Sequence, residues 1–124
     1  MFDPSHQLVS SADVDELDAV RRAMRRRLDD AGVHPVLSRE IMFAFSEITI
    51  PRETGTTDGV KVVTDLAIRR EELVLRVQTA NDLAGSDRER GEQDLMLHLL
   101  ADDVQRVIDG DDVVVTIRKR RLGR

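Results

Sequence analysis

Cysteine, tryptophan and tyrosine are all absent from this 124-residue chain, and three phenylalanines are its whole aromatic content. The first absence excludes disulfides, thiolate zinc sites and a cysteine nucleophile, which agrees with a reducing compartment. Without Trp or Tyr the chain lacks the stacking platforms on which single-strand nucleic-acid binders rely. No apolar run approaches the roughly 18 residues that a membrane helix needs, and the N-terminus lacks the basic-then-apolar layout of a signal peptide. A cytoplasmic protein without a membrane partner is the expectation. The usual catalytic signatures are missing too: no Gly-x-x-x-x-Gly-Lys-Ser, no His-Glu-x-x-His and no Gly-x-Ser-x-Gly occurs. His6, His34 and His98 are scattered, and no metal site is expected.

What the chain has in quantity is charge. Its 24 acidic and 19 basic residues leave a formal charge of −5, which argues against a nucleic-acid partner, since phosphate contacts need a concentrated basic surface. The basic end, Arg118, Lys119, Arg120, Arg121 and Arg124, could touch an acidic partner but reads better as a solvated tail. Asp109-Gly110-Asp111-Asp112 has the composition of a tight turn and lacks the other ligand positions of a calcium loop.

The length suits one domain over residues 1–124. A short strand around Gln7 to Val9 leads to a helix capped by Ser10 or Ser11, with Val14, Leu17, Val20, Met24, Leu28 and Ala31 on one stripe and Gly32 as its stop. Its other face carries Asp18 and Arg22, and Arg26 and Asp30, at ion-pair spacing. The cluster Arg21, Arg22, Arg25, Arg26 and Arg27 is either a solvated face or a partner surface. A second helix, with Ser38 as N-cap, buries Leu37, Ile41, Ala44, Phe45 and Ile48 and stops near Ile48 or Thr49, because Pro51 forces Ile50 out of the α region.

Alternation then predicts two antiparallel strands, through Val62 to Ile68 and Leu73 to Thr79. Asn81 to Gln93 is polar, contains Gly and has no periodicity, which predicts a loop. Leu97, Leu100, Val104, Val107 and Ile108 predict a third helix, and Val113, Val115 and Ile117 a last strand. The sum is an α/β two-layer sandwich, three helices on one face of a roughly four-stranded mixed or antiparallel sheet. Its core should join Val62, Leu66, Leu75, Val77, Val115 and Ile117 to Leu17, Val20, Ile41, Phe45, Leu97 and Leu100.

The segment Ile41 to Glu53, IMFAFSEITIPRE, resembles the N box of the GHKL (Bergerat-fold) ATPases, above all the bacterial anti-sigma-factor serine kinases. The order of elements is similar over essentially the whole chain. Ser46 and Glu47 match the motif, and the resemblance implies that Glu47 stands where the family keeps its general base. Pro51 stands at the family's magnesium-binding Asn. In LVLRVQTANDLAG, Asn81 occupies the place of the adenine-binding Asp, Leu83 that of the first glycine and Gly85 that of the second. Asn81 and Gly85 are thus the candidate nucleotide contacts. Asn81 to Gln93 falls where the family keeps its nucleotide lid, Gln93 and Asp94 stand where phosphate-cradling glycines would be, and LLADDVQRVIDGDDVVVTIRKR, residues 99–120, resembles the closing helix and basic-ended strand of the kinases.

The resemblance therefore implies a reduced histidine-kinase-like ATPase fold with a degenerate nucleotide pocket. The expected function is a non-catalytic module, cofactor-free, that binds a sigma factor, an anti-sigma antagonist, or a related kinase or phosphatase. Partner binding would use Arg21, Arg22, Arg25 and Arg26, near which the related anti-sigma factors have partner and dimer surfaces. The alternatives are an active ATP- and magnesium-dependent serine kinase with Glu47 as base, and a structural dimerisation domain. Outside the resemblance, Glu47 reads as an ordinary helix-end carboxylate.

Overall fold

A computed structural model of the chain describes residues 7–50, 59–80 and 85–121. Its elements run β1 (Leu8–Ser11), α1 (Val14–Asp30), α2 (Pro35–Thr49), β2 (Lys61–Ile68), β3 (Glu72–Ala80), α3 (Asp87–Leu100), β4 (Asp103–Asp109) and β5 (Asp112–Arg120). The strands form one sheet in the order β1-β2-β3-β5-β4, and every pairing is antiparallel. Among the described residues the sheet thus has five strands where the sequence suggests four, and of the mixed or antiparallel alternatives it is antiparallel.

Leu17, Val20, Met24 and Leu28 are the buried stripe of α1, while Val14 and Ala31 at its ends are exposed. The cap is Asp13, whose side chain accepts from the Asp15 amide, and not Ser10 or Ser11. Both serines are still in β1, and Ser11 Oγ is occupied by Glu16 and the Asp13 amide. At the other end the Val33 amide reaches Leu28 O and the Gly32 amide Asp29 O, with Gly32 at φ +69°. That pair of bonds needs a left-handed residue, which is why the helix stops at a glycine.

Helix α2 starts three residues before the expected Ser38. Pro35 takes the first helical position, where its missing N–H costs nothing, and His34 Nδ1 accepts from the Val36 amide. The helix stops at Thr49, as the sequence predicts, with Ile50 extended at φ −70° and ψ 127°. Pro51 itself lies outside the described residues.

The third helix differs most from expectation. Ser86 and Glu89 form a capping box, so α3 begins at Asp87, inside the segment read as a loop, and ends at Leu100. Val104, Val107 and Ile108 are not helical but belong to β4, where Val104 packs against the core while Val107 and Ile108 are exposed. Their spacing fits a helix, yet β-branched residues fit a pleated strand better, and the turn at Gly110 (φ +63°) closes β4 onto β5. This strand is the fifth.

The core lies between the sheet and the helices. Eleven of the twelve expected core residues are buried in one cluster, and Leu100 packs partly buried against it. The basic end is not a free tail: Arg118, Lys119 and Arg120 belong to β5. Lys119 faces the helices, is 7% exposed, and ion-pairs with Glu40 of α2 at 3.1 Å while donating to the Leu100 carbonyl of α3.

Candidate functional site

Glu47 stands in the last turn of α2 and is half-buried. Its backbone carbonyl accepts a hydrogen bond from Gln93 Nε2 of α3 at 3.0 Å. Gln93 is only 1% exposed, unusual for an amide side chain, and its other polar end is satisfied as well: Oε1 accepts from Arg106 Nη2 of β4 at 2.6 Å. Arg106 also donates to Asp94 Oδ1 through Nη2 at 2.6 Å and Nε at 3.1 Å. Four residues on three elements are thus tied in one chain, from the α2 carbonyl through the amide to the guanidinium and the carboxylate. The chain is charge-balanced, with one arginine against one aspartate.

Gly85 is half-buried at φ +82°, and its carbonyl accepts from Arg90 Nη1 at 2.9 Å, so its polar atom is engaged by α3. Asn81, Leu83 and Pro51 lie outside the described residues. Among the described residues no group of three or more His, Asp or Glu side chains gathers to hold a metal ion. No described helix is long and apolar enough to cross a membrane.

The arginine cluster of α1 divides in two. Arg21 turns toward α2, donating from Nε to Ser46 Oγ at 3.0 Å, stacking over the Phe45 ring at 5.6 Å and pairing with Asp18 at 2.7 Å. Arg27 donates to the Leu66 carbonyl of β2 at 2.6 Å. These two belong to the packing between elements. Arg22, Arg25 and Arg26 remain exposed, with no side-chain partner among the described residues. The expected pairs of Asp18 with Arg22 and Arg26 with Asp30 do not form; Asp18 is drawn to Arg21, which is held in place by Ser46 and Phe45.

At the opposite end of the sheet from Glu47 lies an open groove between the β2–β3 turn, the start of β4 and the end of β5. Glu72 accepts there from both Arg69 and Arg118 at 3.2 Å, and Arg121 donates to the Arg69 carbonyl at 2.9 Å. Five arginines and four carboxylates line it, so it is nearly neutral, and Glu72 pairs there with both Arg69 and Arg118.

Sequence reasoning missed Gln93, Arg106 and Lys119 as structural links. Reading Ser86-x-x-Glu89 as a capping box would have put Gln93 on a helix, one turn from Leu97 and two from Leu100, and so on its buried face. No family model matches the chain, and none of the curated proteins matches it.

Proposed function

We propose that this protein is a non-catalytic regulatory module that binds a protein partner, built on a reduced histidine-kinase-like ATPase fold whose nucleotide pocket is degenerate. The observation that carries this reading is the buried link from the Glu47 carbonyl through Gln93 to Arg106 and Asp94. A phosphate cradle needs backbone amides that a ligand can approach, which is the use of glycines at such positions. In this reading Gln93 stands at that position, and its side chain is buried and bonded at both ends. A general base at Glu47 has no reaction to serve without a bound nucleotide.

The partner surface is the outer side of α1, at Arg22, Arg25 and Arg26, and the partner is an acidic surface on a sigma factor, an anti-sigma antagonist or a signalling kinase or phosphatase. Three arginines with no side-chain partner among the described residues, on a protein of net charge −5, would steer such a partner and disfavour basic ones. Arg21, read with them from sequence, is spent on Asp18, Ser46 and Phe45, and its loss would act through packing.

Copurification from the native cell tests the proposal. Arg22→Glu with Arg26→Glu is expected to abolish recovery of the partner and to leave stability within about 1 kcal/mol, because exposed charges contribute little. Recovery by the wild type is expected to fall with salt. Unchanged recovery by the double variant would move the partner to another surface.

A further inference from the structure

The sheet ends in two unlike edges, β1 and β4. β1 contributes only four residues, whereas β4 runs for seven and carries neither lysine nor proline, two residues that commonly guard an open edge. Its one blunting feature is at the start. There the Asp102 amide donates to the Arg118 carbonyl although Asp103 is the residue paired with Arg118, so two residues of one strand oppose one of the other. The far half of β4 pairs with β5 without a break, and Val107 and Ile108 stand 50% and 55% exposed there, one on each face of the sheet.

The register fixes which backbone groups are open. Asp109 and Asp112 flank the two-residue turn Gly110-Asp111 and so form a hydrogen-bonded pair. Bonding to β5 alternates from that pair through Val107, Gln105 and Asp103. Val104, Arg106 and Ile108 therefore turn their N–H and C=O groups outward, a row of alternating donors and acceptors that an extended chain can meet by lying along it. The side chains select the charge of that chain. Asp103 and Asp109, at the two ends of the strand on the face away from the helices, and Asp111 in the turn are exposed and have no side-chain partner among the described residues. Arg118, opposite Asp103, is held by Glu72, and Arg106, the one cation of β4, is paired with Asp94. The edge is thus acidic at both ends and apolar at Val107 and Ile108, which disfavours a second β4 against it and favours a basic segment.

We propose that β4 takes up an extended basic segment of a partner protein as a further antiparallel strand of the sheet. Backbone groups of the segment bond to Val104, Arg106 and Ile108, its cationic side chains lie against Asp103 and Asp109, and apolar ones cover Val107 and Ile108 between them. This surface is separate from the arginines of α1, which would take an acidic partner.

Fluorescence anisotropy of a dye-labelled peptide, Lys-Val-Val-Thr-Thr-Val-Lys, titrated with the full chain tests this; laid antiparallel, its lysines stand opposite Asp109 and Asp103. A dissociation constant on the order of 100 μM is expected, since a short segment must be ordered as it binds, and it should rise with salt. The counterpart Glu-Val-Val-Thr-Thr-Val-Glu is expected to bind at least about tenfold more weakly, and Asp103→Lys with Asp109→Lys to reverse that preference. Methyl groups on the amide nitrogens of the first valine and first threonine, which face β4, are expected to abolish binding, whereas the same groups on the second valine and second threonine, which face away, are expected to be tolerated. Ile108→Pro removes an outward N–H without breaking a bond to β5, and is expected to weaken binding at least about tenfold with the far-ultraviolet circular dichroism unchanged. Arg22→Glu with Arg26→Glu is expected to leave peptide binding as it is, so loss of the α1 partner and loss of the β4 segment are separable. No binding up to about 1 mM, or equal loss from both methylation patterns, or indifference to the lysine variants, would overturn the proposal.

Discussion

Replacing Gln93 probes the buried link between Glu47 and Arg106 most simply. Gln93→Leu roughly conserves volume but removes both bonds of the amide, leaving the Glu47 carbonyl without its donor and Arg106 with Asp94 alone. A buried polar group deprived of its partner costs about 1–3 kcal/mol, and two groups are affected here. Against this stands the gain from an apolar side chain that is 1% exposed, on the order of 1–2 kcal/mol. The expected net loss is about 2 kcal/mol. Gln93→Ala makes the same deletions and adds a cavity without the apolar gain, so about 3–4 kcal/mol is expected. At about 3–8 °C per kcal/mol, even the leucine variant is expected to lower Tm by roughly 6–15 °C. Urea unfolding followed by far-ultraviolet circular dichroism is the assay, because the chain has no tryptophan or tyrosine to report by fluorescence. If both variants stay within about 0.5 kcal/mol of wild type, the bonds of Gln93 to Glu47 and Arg106 do not hold the fold together.

The α1 and α3 starts give two further expectations. Ser11 donates to Glu16 from its amide at 3.0 Å and its hydroxyl at 2.9 Å, and these bonds, the amide's first, hold the Glu16 carboxyl below its ordinary value. A carboxylate with a depressed folded pKa stabilises above its ordinary value and loses that contribution as pH falls through the folded pKa. Glu16→Gln is therefore expected to reduce the dependence of the urea midpoint on pH below the ordinary carboxylate range and to leave its slope near neutrality unchanged. Ser86→Ala removes the capping box and is expected to cost about 1 kcal/mol, with faster amide exchange confined to the first turn of α3.

The helices and the core were legible because burial imposes period. Leu17 to Leu28 and Ile41 to Ile48 each fall on one face, and the alternation in β2, β3 and β5 supplies the surface they cover. The fifth strand was not legible from period alone, since Val104, Val107 and Ile108 satisfy a helical spacing as well as they satisfy a strand bounded by a turn. The candidate site was legible only in part. Glu47 lies at the helix end where the sequence puts it, but its surroundings depend on which residues of α3 and β4 arrive there, and that follows from helix start and strand register across the fold. For the same reason Arg21 and Arg27 look like their exposed neighbours in sequence, although Ser46, Phe45 and the Leu66 carbonyl draw them inward. Lys119 looked like part of a tail because its partners, Glu40 and Leu100, are distant in the chain.

Thermal unfolding of the wild type with millimolar ATP and magnesium is the most direct measurement of whether the fold is kept for its surface or for its pocket. A ligand at about 100 times its dissociation constant adds about 2.7 kcal/mol to stability. For a domain of this size that raises Tm by roughly 8–20 °C, so binding even in the tens of micromolar would register. No shift is expected under the proposed function, in which the Glu47 carbonyl is tied to the buried Gln93 and Arg106, and Pro51 and Leu83 would stand at the ligand positions. A rise of several degrees, with transfer of phosphate to a partner serine that Glu47→Ala removes, would contradict a non-catalytic module and establish an active serine kinase in its place.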